Sequence, residues 1–260
     1  MELADELFPD PEPDVAVPFV PTDDRVVAAM LELAGVNEQD LLYDLGCGDG
    51  RIVVAAARDR RARAVGIDLD AGLLEEAREY AGWTGVEHLV DFIEDDIFCA
   101  EFRDATVVTM YLLRTINLEL RPRLLRELKP GTRIVSHDFD MGDWPPDEKI
   151  DAGGAKVFLW LVPAPVAGTW RWQAADGRSF QVELKQRFQK LSGQAWVDGQ
   201  PAELRSATLR GTRLRLSIRA PGAARAETFV ARYNDGFLVP VPSKRSGATL
   251  APWEKLDGGA

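Results

Sequence analysis

The sequence predicts an α/β domain built on a doubly wound, largely parallel sheet, followed by a small all-β barrel or sandwich. Two observations predict the first part. Strand-like and helix-like segments alternate from about residue 23 to residue 137. The strand segments, such as "TVVTMYLL" and "RIVSH", are nearly continuous apolar runs, as expected when helices cover both faces of a sheet. A third observation predicts the second part. After Pro165 apolar and polar residues alternate, and turn signals recur at "ADG", "SG", "DG", "RG", "PG" and "NDG". The 260 residues have room for both parts. The expected organisation is an acidic, proline-rich leader over 1–17, the α/β domain over 18–163, the β domain over 167–250 and a tail over 251–260.

In chain order, Val26, Val27, Met30, Leu31 and Ala34 share one face of a helix expected over 23–34. Strands are expected over 41–45, 64–68, 89–93, 106–111 and 133–137, and helices over 51–59, 71–81 and 118–128. The last helix should break or restart at Pro122, which lacks an N–H and crowds the preceding turn. "EKIDAGGAKVFLWLVP" reads as a hairpin turning near Gly153 and Gly154. The β domain should hold about six or seven short strands, with Trp170, Trp172, Phe180 and Trp196 in its core. "ELKQRFQKLSG" within it is locally basic, a solvated strand face or a seat for an acidic partner.

Composition bounds the function. Hydrophobic content of 46% and charged content of 28% are those of a soluble globular protein. A net charge of −11 disfavours a nucleic-acid partner and favours encounters with a basic protein or a small cation. Cys47 and Cys99 follow two different strands without metal-type spacing, which points to reduced thiols in a cytoplasmic protein and to no metal. The longest apolar run, "VFLWLVPAPVAG", has 12 residues and two prolines, too few and too broken for a membrane span.

The chemistry concentrates in "LLYDLGCGDGRIVVAAA", a buried strand entering a glycine turn and then a helix. Gly46, Gly48 and Gly50 make a G-x-G-x-G pattern, one residue tighter than the dinucleotide fingerprint, with Asp49 where a pyrophosphate would approach. Such a turn suits a ligand with an ammonium and a carboxylate, as in the methionyl tail of S-adenosylmethionine. Asp44 or a backbone carbonyl can take the ammonium, and the helix N-terminus favours the carboxylate. Asp68 ends the second strand near the offset at which an acid binds a ribose, leaving Asp70 to cap the next helix. After the third strand, Asp96, preferred to Asp95, can accept from an adenine amino group while Ile97 and Phe98 flank the ring.

Together these residues resemble the class I S-adenosylmethionine-dependent methyltransferases, a Rossmann-like fold, over about residues 18–162. "VPFVPTDDRVVAAML", "ATVVTMYLL" and "LRPRLLRELKPGTRIVSHDFDMGDW" are similar to one subgroup, the archaeal broad-specificity protein-lysine methyltransferases and the mitochondrial lysine methyltransferases of the ATP synthase c subunit and the adenine nucleotide translocase. The resemblance implies that Phe19, Pro21 and Thr22 close over the cofactor, and that the substrate is a lysine-bearing protein. Asp23 stands where the subgroup carries a second proline, and the β domain is not part of the archaeal pattern.

Methyl transfer from a sulfonium needs positioning and exclusion of water more than a metal or a strong base. The fourth strand ends without the Asn/Asp-Pro-Pro-Tyr/Phe motif of many nucleobase and glutamine N-methyltransferases. Tyr111 there either lines an acceptor slot or packs at a strand end, and His137, Asp138 and Asp140 follow the fifth strand. Tyr111 and Asp138 are the candidate catalytic residues, whereas His137 reads more simply as a histidine satisfied within the fold. The expected function is S-adenosylmethionine-dependent N-methylation of protein lysine. The alternatives are a small-molecule methyltransferase whose β domain shapes the pocket and a non-catalytic S-adenosylmethionine-binding protein.

Overall fold

Leu42 and Leu45 are fully buried on the first strand, β1 (Leu41–Leu45), which sits near the middle of a seven-stranded sheet. The computed structural model describes residues 19–241 and 251–256, so the expected leader over 1–17 lies outside the described residues. The chain divides into two units, residues 1–160 and 161–260.

In the first unit, α1 (Asp24–Leu33), α2 (Arg51–Arg60), β2 (Arg63–Asp68), α3 (Ala71–Thr84), β3 (Val90–Glu94), β4 (Val107–Met110), α4 (Arg114–Glu127), β5 (Arg133–His137), β6 (Glu148–Ala152) and β7 (Ala155–Leu161) follow β1 or flank it in chain order. The strands lie in the order β3-β2-β1-β4-β5-β7-β6, and β3 through β5 are parallel. Strand order reverses between β1 and β4, which opens a crevice at the carboxyl ends of these strands. β6 and β7 form the expected hairpin, with Gly153 and Gly154 both at positive φ, the conformation a tight hairpin turn requires.

Asp23 accepts from Arg25 N at 2.8 Å and caps α1, a task a proline could not perform. Asp70 caps α3, accepting from Gly72 N at 2.8 Å and Leu73 N at 3.2 Å. The expected break at Pro122 does not occur, because α4 runs through it. On either side of the proline, Arg121 donates to Met141 O at 2.7 Å and Arg123 to Ile97 O at 2.9 Å, while Leu120 and Leu124 are buried. These tertiary anchors hold the helix axis through a residue that local propensity would use to stop it.

Among the described residues, the second unit is an antiparallel meander of eight strands rather than six or seven. They are β8 (Gly168–Gln173), β9 (Ser179–Arg187), β10 (Lys190–Val197), β11 (Gln200–Arg210), β12 (Arg213–Arg219), β13 (Glu227–Asn234), β14 (Phe237–Pro240) and β15 (Glu254–Leu256). β15 pairs with β8, and Trp253 N donates to Leu238 O at 2.8 Å beside β14, so the sheet nearly closes into a barrel. Residues 251–256 were expected as tail, and three strand residues are too few to show a period. Trp253 is 1% exposed and stacks on Trp172 at 4.0 Å, sealing a core that also holds Trp170, Phe180 and Phe229. Trp196 departs from the expectation: its neighbours Ala195 and Val197 face inward, which turns the indole to the outer face.

Candidate active site

The glycine turn after β1 takes its shape from close approach. A Cβ on Gly50, at φ +73°, would come within 2.7 Å of Ala77 Cβ and 2.8 Å of the Phe92 ring, so only glycine lets α2 pack this tightly. A Cβ on Gly48, at φ +53°, would lie 2.1 Å from the Phe19 ring, which rests directly on the turn. Gly48 N donates to Asp68 Oδ2 at 2.7 Å, tying the turn to the end of β2, and Asp68 Oδ1 accepts from Asp70 N at 3.1 Å. α2 starts from Gly50, which has no side chain to cap it, and Asp49 Oδ1 accepts from Arg51 N at 3.3 Å.

Above this turn lies a cavity of about 350 Å³, within the range of small-molecule sites. Asp44, Gly46, Asp49, Asp68, Asp96, Ile97 and Phe98 line it on the β1, β2 and β3 side, and Tyr111, Leu112 and Ile116 on the β4 side. Phe19, Val20 and Thr22 close over it from the segment before α1. Asp44 is 1% exposed and accepts from Thr109 Oγ1 at 2.7 Å. Burial raises its carboxyl to about 7; the Thr109 hydrogen bond opposes the rise, and Asp68 and Asp49 add to it. A buried carboxyl of this kind calls for a cationic partner.

Asp49 does not present a bare charge. Arg51 pairs with it at 2.5 Å and also donates to Thr22 O at 2.7 Å, so one guanidinium neutralises Asp49 and pins the overlying segment. The exclusion of a pyrophosphate therefore rests on Asp44, Asp68 and Asp96 instead. Cys47 is buried against the same wall, and burial pushes its thiol well above the ordinary range, which keeps it protonated.

On the β4 side, Tyr111 stacks on His137 with ring centroids 3.8 Å apart and planes at 27°. Burial, then the Asp138 charge, raises the Tyr111 phenol, while burial lowers the His137 imidazole against an opposing pull from Asp138. His137 Nδ1 lies 3.3 Å from Thr22 Oγ1, and its Nε2 lies 3.4 Å from Asp138 Oδ2. Asp138 does not line the cavity. It sits at φ +58° with Oδ1 accepting from Lys156 N at 2.7 Å, so its carboxylate faces β7 and His137. That geometry leaves its carboxylate outside the cavity, against β7 and His137. Asp140 turns away to Arg114 and to Gly142 N. Pro21 is exposed and absent from the lining, where Val20 stands instead.

Asn117 went unforeseen. Its amide donates to Ser136 Oγ and Phe139 O, both at 3.2 Å, and so anchors the turn carrying His137 and Asp138. Asn117 stands just before the helix expected over 118–128, where a polar residue reads as solvated unless its burial is known. Val20, Leu112 and Ile116 were likewise invisible as lining because nothing in their spacing separates lining from core.

Comparison with known proteins agrees with this geometry. A model of the ANTKMT methyltransferase domain matches residues 44–148. A protein-lysine N-methyltransferase of Saccharolobus islandicus is 42% identical over 151 residues, covering 56% of this chain and 94% of that protein. An adenine nucleotide translocase lysine N-methyltransferase of Mus musculus is 32% identical over 146 residues, covering 56% of this chain and 63% of its own. A Salinibacter ruber protein, crystallised with S-adenosyl-L-homocysteine and described as an RNA methyltransferase, is 53% identical with a TM-score of 0.56, covering 56% of this chain and 96% of its own. A chain that reproduces nearly the whole of the Saccharolobus and Salinibacter proteins belongs with them: this protein is a member of the S-adenosylmethionine-dependent methyltransferase family, with a match to the ANTKMT methyltransferase domain over residues 44–148.

Proposed function

We propose that this methyltransferase acts on the side-chain amine of lysine in a protein, and does so in the cytoplasm. The observation that carries the reading is the split character of one cavity, carboxyl-lined on the β1–β3 side and apolar and aromatic on the β4 side. Relatives named for lysine methylation support the same reading.

In this reading Asp44 takes the donor's ammonium, the first turn of α2 its carboxylate, Asp68 its ribose hydroxyls and Asp96 its adenine amino group, with Ile97 beside the ring. Bound there, S-adenosylmethionine supplies a methyl group on a sulfonium, open to in-line displacement. The chain's own residues handle the amine. A lysine with an ordinary pKa of about 10.4 must reach the slot neutral. Tyr111, Leu112 and Ile116 offer a surface that disfavours the ammonium form. The Tyr111 phenol, held in its protonated form, can accept an N–H of the amine and orient the lone pair. Phe19, Val20 and Thr22 exclude water, and His137 fixes the Tyr111 ring from behind.

A second reading, methyl transfer to RNA, draws on the description of the 53% identical Salinibacter protein. One experiment separates the two. The protein is incubated with methyl-labelled S-adenosylmethionine and lysate of its own cell, and the labelled material is divided between protease and ribonuclease. Label released only by protease and found on lysine Nζ supports the lysine reading. Label released by ribonuclease replaces it with the RNA reading, and label only in small molecules replaces it with a metabolite methyltransferase.

A further inference from the structure

The cavity is acidic on nearly every polar surface. Asp44, Asp49, Asp68, Asp70 and Asp96 line it, and among the described residues Arg51 is the one basic side chain that does. An anionic group on a ligand seated there has a single side chain able to compensate its charge. Anywhere else in the cavity it would face a carboxyl or an apolar wall.

The Arg51 guanidinium is already oriented. Its Nε donates to Asp49 Oδ1 at 3.0 Å and its Nη2 to Asp49 Oδ2 at 2.5 Å, a two-pronged grip that fixes the plane of the group. Its Nη1 donates to Thr22 O at 2.7 Å. A guanidinium carries five N–H groups, so one on Nη1 and one on Nη2 are left over. Neutralising Asp49 would need only Nε and Nη2. The Nη1 bond reaches instead to the segment that closes over the cavity, 29 positions earlier in the chain. A carboxylate accepting from the two remaining N–H groups would lie beside that bond. It would also remove the guanidinium's remaining freedom to turn, which makes the bond to Thr22 O more persistent.

We infer that Arg51 selects the carboxylate of the donor's methionyl tail and ties it, through Thr22 O, to the segment that covers the cavity. The seat then closes tightly over a donor that carries a carboxylate and stays looser over one that lacks it. This rests on the donor seat described under the proposed function, and adds to it the side chain that distinguishes one tail from another.

The test is calorimetric titration of the full chain with two ligands, S-adenosyl-L-homocysteine and its decarboxylated analogue. The analogue's tail ends in an aminopropyl group, so it keeps the ammonium, sulfur, ribose and adenine and loses only the carboxylate. Wild type should prefer S-adenosyl-L-homocysteine by about tenfold or more, the scale of charge-assisted hydrogen bonds. In Arg51→Gln that preference should fall to about twofold or less. An unchanged preference in the variant, as when a loosened fold weakens both ligands alike, would overturn the inference. Arg51→Gln combined with Asp49→Asn separates contact from charge balance, because no bare Asp49 carboxylate is left to repel the tail. Preference still lost in the double variant supports direct recognition. Preference restored to the wild-type level would mean that Arg51 acts only by neutralising Asp49, and the inference fails.

Hydrogen exchange on the unsubstituted protein tests the tie to the covering segment whatever the variants' folding. At saturation, amides within residues 19–23 should exchange about fivefold or more slowly with S-adenosyl-L-homocysteine than with the analogue. Equal exchange contradicts the tie. If neither ligand binds wild type, the donor seat itself falls and the inference with it, an outcome distinct from a seat that binds both ligands equally.

Discussion

Thr22 Oγ1 lies 3.3 Å from His137 Nδ1, joining the segment that covers the cavity to the ring that stacks on Tyr111. These two residues are 115 positions apart in sequence. The contact gives the segment over the cavity and the Tyr111 ring one shared support. Arg51 strengthens it from the other side, holding Thr22 O and Asp49 together.

That relationship predicts separable effects at the acceptor slot. Tyr111→Ala should lower kcat by about 10²-fold, the scale of losing one positioning group, with donor affinity within about twofold of wild type. His137→Ala should lower kcat less and weaken the donor as well, because the Thr22 contact goes with it. Single-turnover rates alongside donor affinity distinguish the two patterns, and equal loss of both quantities in Tyr111→Ala would contradict the assignment.

Asp44 should make donor binding depend on pH. Its carboxyl is raised from 3.8 to about 7, so the free protein holds a proton there below about pH 7 and cannot pair with an ammonium. Affinity should fall about tenfold per pH unit below 7 and level off above it. The sign for stability is opposite. The folded state binds this proton better than the unfolded chain, so Asp44's contribution is fully present below 3.8 and lost as pH rises through about 7. Asp44→Asn should therefore be at least as stable as wild type at pH 8 while binding donor at least tenfold more weakly. Calorimetric titration and urea unfolding at the same pH values check both halves.

Gly50→Ala should destabilise the first unit by about 2–4 kcal/mol. The new methyl meets Ala77 and Phe92 and forces an L-residue into the left-handed region. Urea unfolding measures the loss, and a change below about 0.5 kcal/mol would mean the close packing of α2 is not required.

Trp253→Ala should cost the barrel about 3–5 kcal/mol, the usual price of deleting a buried tryptophan. Loss of its stacking on Trp172 should also alter the near-ultraviolet circular dichroism, while donor affinity should not change.

Much of the α/β half was legible because its signals are local. Apolar runs, the cap Asp70 and the glycine turn each announce themselves within a few residues, and the five parallel strands fall within one or two residues of their expected ends. Pro122 misled because its tolerance depends on arginine anchors reaching loops that lie far along the chain. The eighth barrel strand was hidden for a similar reason: Glu254–Leu256 is a strand only because β8 presents an edge. In the site, the carboxylates could be read from their positions at strand ends. Arg51 pairing with Asp49, Asn117 bracing the 136–139 turn and Asp138 turning to Lys156 are properties of side-chain direction, which spacing does not encode.

The central claim is that the cavity between Asp44 and Asp68 is the methyl donor's seat. Calorimetric titration of S-adenosyl-L-homocysteine into wild type and Asp68→Ala tests it most directly. The account predicts one site per chain and an affinity at least tenfold weaker in the variant, with the thermal midpoint held close to wild type. Equal affinity in the two proteins would place the donor elsewhere and contradict the account.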